Sequence, residues 1–321
     1  MSGNSNIPVE VFQNYAVEKL RKKNPFMQFA TDESLNVIGG AVVHIPQAGN
    51  APSAVKNRTV FPATAVMRGD SFVTYALDVF STDPTHITWD EKNEISYEKT
   101  DSVLADHVET LFEVAGDNML YAWVNGLKTS GGSLVAVVIP TTNIIRTSGA
   151  DVAVNAEDGQ TGNRKAFSSA DVSKAQAVMN KQNVPATDRY LICESYMYQQ
   201  LIDSLSANQM AAFQQSADLA NGIVGKLFGF NIMERSTVLA FASNLAVKVP
   251  GEALAATDQL GALAWQKSSV AKAMGDVKPF QNTDDALYMG DVFSALIKLG
   301  GRCRRGDWKG LIAIVQDNAA V

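Results

Sequence analysis

Apolar and polar positions change period several times along this chain, and each change predicts an element. From Pro8 to Lys23, Phe12, Tyr15, Ala16, Val17 and Leu20 fall on one face of an amphipathic helix. Lys19, Arg21, Lys22 and Lys23 close the segment where the helix dipole favours cations, and Asn24-Pro25 stops it. That basic cluster reads either as a solvated helix end or as a contact with an acidic partner. Residues 35–50 then shift to a β pattern through Val37, Ile38, Ala41, Val42, Val43 and Ile45, broken by Pro46 and Gly49. Residues 50–58 are polar and turn-rich, with Lys56 and Arg58, and predict an exposed tip. Strand character resumes through Val60, Phe61 and Val66 and runs on from Phe72 to Phe80. A two-stranded ribbon has no core of its own. The pattern therefore predicts that an adjacent chain covers Val43, Ile45, Phe61 and Phe72.

Residues 101–127 hold the strongest helical rhythm in the chain. Val103, Leu104, Val108, Leu111, Phe112, Ala115, Met119, Leu120, Trp123 and Val124 recur at three- and four-residue steps. Thr100, Asp101 and Ser102 offer capping oxygens in front, and Gly126, Gly131 and Gly132 follow. At 1.5 Å per residue this spine would be roughly 40 Å long. An α/β region comes next. Leu134–Ile139 reads as a buried strand, and residues 149–164 as a loop. A helix follows Ser168, a strand spans 189–193, and a helix runs from Tyr196 to Leu205. Further strands are expected near 238–249, 262–273 and 286–299, with a last one in Trp308–Val315.

Charge and candidate chemistry narrow the function more by exclusion than by assignment. The net charge of −6 argues against direct duplex binding, which needs Lys and Arg on phosphates. Cys193 and Cys303 are the only cysteines, far apart, and read as reduced residues. No window approaches the roughly 18 apolar residues that would mark a membrane span. His44, His86 and His107 have no second ligand at metal spacing, so no metal site is expected. Gly225-Lys226 is followed by Leu227, which rules out a phosphate-binding loop of the Gly-Lys-Ser/Thr kind. No Gly-x-Ser-x-Gly elbow supplies a nucleophile. These observations predict no catalytic residues and no cofactor. The dense charge cluster Arg302, Arg304 and Arg305 beside Asp307 reads as a solvated turn or as a set of ion pairs between subunits.

The order of these elements resembles the tailed-bacteriophage major capsid proteins of the Hong Kong 97 fold. The resemblance is carried by Arg189–Cys193 followed by Tyr198–Leu201, by Gly225–Ile232, and by Ala286 through Arg305. Phe72 to Asp106, the hairpin's descending arm running into the spine, carries it too. It implies an α+β capsid fold with an N-terminal arm (1–41), an extended hairpin or E-loop (42–80) and a peripheral domain holding the spine helix (81–130). An α/β axial domain (131–280) and returning strands of the peripheral domain (281–321) complete it. It further implies a structural protein, not an enzyme, that self-assembles as hexamers and pentamers into an icosahedral shell around double-stranded DNA. The virion would be its location and the host bacterial cytoplasm its place of synthesis. Its partners would be itself, a separate scaffolding protein, a portal and DNA held without sequence-specific contact, with no membrane. The expected subunit contacts are Phe12, Tyr15, Leu20, Val43, Ile45, Lys56, Arg58, Phe61, Phe72, Arg302, Arg304 and Arg305. An encapsulin-like protein compartment is the alternative that shares the fold.

Overall fold

The computed structural model describes residues 24–38, 42–47, 49, 54–59, 61–62, 65, 67–90, 99–130, 133–154 and 159–318. The helix expected at residues 8–23, with Phe12, Tyr15 and Leu20, lies outside them. Among the described residues, two sheets pack against one long helix. That helix, Lys99–Val124, is the expected spine. Its apolar stripe buries Val108, Leu111, Phe112, Ala115, Met119, Leu120 and Trp123, while Glu109 and Glu113 stay in solvent. The Trp123 indole N–H donates to the Ala271 carbonyl at 3.0 Å, which pins the helix to the first sheet. Gly301 lies where any Cβ would collide with the Met119 sulfur, so a glycine there lets helix and sheet close together.

The first sheet is built on two long antiparallel strands, Val270–Asp285 and Gly290–Cys303. Asp78–Ser81 and Thr85–Thr88 pair along the free edge of the second, and Thr31–Asp32 runs parallel to the first. The second sheet has seven strands. Its main path runs Ile223–Leu227, Phe230–Arg235, Arg189–Glu194, Gln259–Gln266, Leu311–Val315 and Ile144–Arg146, with Leu239–Phe241 also on Gln259–Gln266. Alternation along these strands decides which core each residue joins. Leu191, Cys193, Ile232, Ala262, Ala264, Ile312 and Ile314 face the helices Ser169–Lys181, Ser195–Asp203 and Ala207–Gln215. Tyr190, Ile192, Met233, Leu263, Trp265, Leu311, Ala313 and Val315 face the other way, toward the spine.

A 3-10 turn, Pro25–Phe29, wedges between spine and second sheet. Phe26 meets Trp123 edge-on at 5.8 Å, Phe29 stacks on Tyr190 at 4.2 Å, and the Phe29 carbonyl accepts from the Trp265 indole. Asn24 donates to the Phe112 carbonyl beside Gly116, where a side chain would strike Asn24 and Arg235.

Several expected boundaries are corrected. The single strand expected from Phe72 to Phe80 is two, because the chain leaves one sheet after Ala76 and enters another at Asp78. Leu134–Ile139 does not make a buried strand. Ser133–Val138 instead forms a hairpin with Asn125–Ser130, leaving Ala136 and Val138 exposed. The strand expected at 262–273 is interrupted at Lys267–Ser269, where the chain passes from the seven-stranded to the five-stranded sheet. Val270–Asp285, whose first part up to residue 280 is expected within the axial domain, is therefore half of the spine's own sheet. Residues 281–321 also divide, since Leu311–Val315 pairs with Gln259–Gln266 in the seven-stranded sheet.

Candidate subunit-contact surface

The hairpin has a buried root and an exposed end. Strand Val42–Gln47 pairs antiparallel with Ser71–Ala76 in a continuous register from Val42–Ala76 to Gln47–Ser71. Val43, Ile45, Val73, Tyr75 and Leu77 point to one side and close over Ala271 and Ala273 of the five-stranded sheet. Period-2 alternation sends His44 and Phe72 to the opposite face, where their rings lie 5.8 Å apart. Farther out, residues 54–59 are all exposed, including Lys56 and Arg58, and Asn57 takes a left-handed conformation at the turn. Returning along the chain, Phe61, Met67 and Phe72 are 75%, 94% and 69% exposed. Arg68 pairs with Asp70 at 2.6 Å, and Asp70 also accepts from the Gly49 amide. That amide first, and Arg68 second, hold the Asp70 carboxyl below the usual carboxylate range.

The expected contact residues thus separate into two groups. Val43 and Ile45 are 0% and 3% exposed and belong to the subunit's own core, because Ala271 and Ala273 are small enough for the ribbon to settle on them. The arginine turn is likewise engaged internally. Arg302 is buried and donates to the Thr74 carbonyl at 2.7 Å, and desolvation weakens its hold on its proton. Arg304 pairs with Glu33 at 2.9 Å, while its carbonyl accepts from Gln47 at 2.7 Å. Arg305 forks onto Asp307 at 2.9 and 2.8 Å. Arg305 and Lys309 together hold Asp307 far below the usual carboxylate range. The turn therefore ties hairpin root to sheet. Lys56, Arg58, Phe61 and Phe72 remain exposed.

Two further surfaces escaped the sequence reading. Phe280, Leu287, Tyr288 and Met289 stand exposed at the end of the long hairpin, near Trp89, whose amide donates to the Met289 carbonyl. The signal was available: Leu287-Tyr288-Met289 places large apolar residues at a turn, where polar ones are the rule. A groove of about 610 Å³ also opens between spine and first sheet, lined by Val79, Phe80, Asp83, Asp106, His107 and Val114 among others. His107 is buried there with its Nε2 unpartnered, and burial lowers its proton affinity against the opposing pull of Asp106.

Catalytic chemistry finds little to work with among the described residues. No group of three His, Cys, Asp or Glu could hold a metal ion there, and no described helix is long and apolar enough to cross a membrane. Burial pushes both thiols up, Cys303 to about 11, so each is held in the unreactive protonated form.

Comparison with known proteins gives the fold a context. A family model described as phage capsid protein matches residues 100–286. No curated protein sequence matches the chain. Among solved structures, the capsid of cyanophage Pam1 superposes with a TM-score of 0.61 at 11% identity, covering 93% of this chain and 93% of that one. The capsid of Ralstonia phage GP4 gives 0.58 at 13% identity, over 91% and 88%. A structure of Mycobacterium phage Che8 gives 0.54 at 19% identity, over 90% of each. At such identities these likenesses establish a shared fold.

Proposed function

Since the chain belongs to the phage capsid protein family, we propose that its copies form hexamers and pentamers that close into an icosahedral shell around double-stranded DNA. A structural role in the capsid of the virion is what the family itself establishes, and such a role implies no catalysis. The family match favours a phage coat over an encapsulin-like compartment. In this proposal the spine helix with the five-stranded sheet is the peripheral domain, the seven-stranded sheet with its helices is the axial domain, and the ribbon, expected at 42–80 and leaving its own sheet after Ala76, is the lapping E-loop. The chain is made in the bacterial cytoplasm with a separate scaffolding protein and is joined by a portal, and the arm residues Phe12, Tyr15 and Leu20 grip a neighbouring subunit or the scaffold. DNA is held by enclosure, in keeping with a subunit of net charge −6.

One observation carries the proposal. The hairpin's root buries Val43, Ile45, Val73 and Tyr75 within the subunit, while Phe72 on the root's outer face and Phe61, Met67, Lys56 and Arg58 farther out are exposed. Apolar surface of this kind on a projecting ribbon marks a contact with another chain. Repetition of that contact through a lattice turns modest pairwise affinity into a stable shell. Removal of residues 54–59 should leave a folded subunit, because no core residue is lost, yet abolish closed particles in size-exclusion chromatography and negative-stain images. Full particles from that deletion would overturn the lapping role.

A further inference from the structure

We propose that a pocket in the half of the molecule built on the seven-stranded sheet binds a free α-amino acid with a polar, uncharged side chain, held by its carboxylate. The pocket lies between the short hairpin of Asp151–Ala153 with Asn163–Lys165, the helix Ser195–Asp203 and the end of strand Leu311–Val315. Its volume of about 310 Å³ is at the small end of ligand sites. It shares no residue with the ribbon 42–80, so the inference stands apart from the lapping role. Arg164 and Gln316, 5% and 3% exposed, line it, and each keeps one polar atom shut from water without a partner. These atoms are the Arg164 Nε, a donor, and the Gln316 Oε1, an acceptor. Buried polar atoms are nearly always satisfied, so two orphans of opposite kind in one pocket point to a ligand that brings both an acceptor and a donor.

The charge on Arg164 decides what the acceptor is. Its terminal nitrogens donate to the carbonyls of Thr161, Asn163, Ala256 and Asp258, and no carboxylate pairs with it among the described residues. The Asp258 carboxylate, which feels its field, is bonded to Lys248 at 2.7 Å. A ligand carboxylate at Nε would supply the charge-assisted bond that Arg164 lacks. The Gln316 amide is fixed in orientation. Its Nε2 donates to the Gln200 Oε1, which also accepts from the Phe167 amide, so reversing Gln316 would set two oxygens together. The Gln316 Oε1 therefore requires an N–H. Asp203, exposed on the same lining, attracts an ammonium group and repels a second carboxylate. A zwitterion meets all three demands, and a dicarboxylate does not. The carboxamides of Gln160 and Gln199, which both donate and accept, suit a polar side chain.

Calorimetric titration of the unassembled full-length protein with L-glutamine tests the site. L-Glutaminamide, which lacks the carboxylate, and succinate, which lacks the ammonium group, are the comparisons. L-Glutamine should bind one to one with a Kd of about 1 mM or tighter, and each comparison at least about tenfold more weakly. Gln199 is exposed on its helix, so Gln199→Trp should fill the mouth of the pocket and abolish the heat without moving the ligand-free melting temperature. Asp203→Lys should invert the preference in favour of succinate. Arg164 is left unchanged, because its bonds to four carbonyls also hold the fold. No heat from L-glutamine up to about 20 mM, equal binding of L-glutaminamide, or undiminished binding by the Gln199→Trp variant would each overturn the site. So would particles whose pocket, in electron cryomicroscopy, holds an acidic side chain of a neighbouring copy in place of a free solute.

Discussion

Replacing Phe61 and Phe72 by serine removes apolar surface that the subunit itself does not use. The two residues are 75% and 69% exposed, so little folding energy rests on them. An aromatic side chain can bury about 200 Å², which leaves about 150 and 140 Å² for a neighbour to cover. At about 25 cal/mol per Å², complete coverage is worth about 7 kcal/mol per contact, and half coverage about 3.5 kcal/mol. With about 1.4 kcal/mol for each factor of ten, the half-covered case raises the concentration needed for assembly by about 300-fold. Light scattering against protein concentration reads that shift directly, and thermal melts of the unassembled subunit should barely move. Ile45→Ala is the matched control. It empties a site that Tyr75, Ala271 and Ala273 enclose, so it should cost about 2–5 kcal/mol of folding stability. Assembly by Phe61→Ser, Phe72→Ser protein at the parental concentration would refute the reasoning.

Two other outcomes follow from buried polar groups. Arg302→Ala strips the Thr74 carbonyl of its donor at the hairpin root, so urea denaturation should show a loss of about 1–3 kcal/mol; the salt tolerance of assembled particles should not change, since Arg302 lies within the subunit. Burial lowers the proton affinity of His107 below its ordinary value of 6.5, so the unfolded chain binds a proton that the folded one resists. Stability of the free subunit should therefore be full above about pH 6.5 and fall as the pH drops below it, and His107→Gln should flatten that part of the melting-temperature profile.

The spine and the alternating strands of the seven-stranded sheet were readable because each residue's environment is set by a period its neighbours share. Val108, Leu111, Ala115 and Met119 lie on one stripe, and the same stripe is buried. The hairpin was readable as an element, and its coverage was not. Val43 and Phe72 are both large apolar residues in a β pattern, and what separates them is a strand about two hundred residues away that packs Ala271 against Val43 while Phe72, on the other face, stays exposed. The passage from one sheet to another at Leu77 leaves no mark either, since the period of two continues across it. From sequence, Arg302 reads as part of a solvated turn or of ion pairs between subunits, because arginine is seldom buried. Its burial depends on the Thr74 carbonyl being left over at the edge of the ribbon, a fact of tertiary structure. Leu134–Ile139 misled for a simpler reason: a short apolar run reads the same in a buried strand as in a projecting hairpin.

The central claim is that this subunit completes itself only by lapping its hairpin onto another copy. Electron cryomicroscopy of the particles formed by the purified full-length chain tests it most directly. The account predicts closed shells in which residues 54–67 of each subunit lie against a neighbour. Small discrete oligomers, or shells in which that hairpin end stands free in solvent, would contradict it.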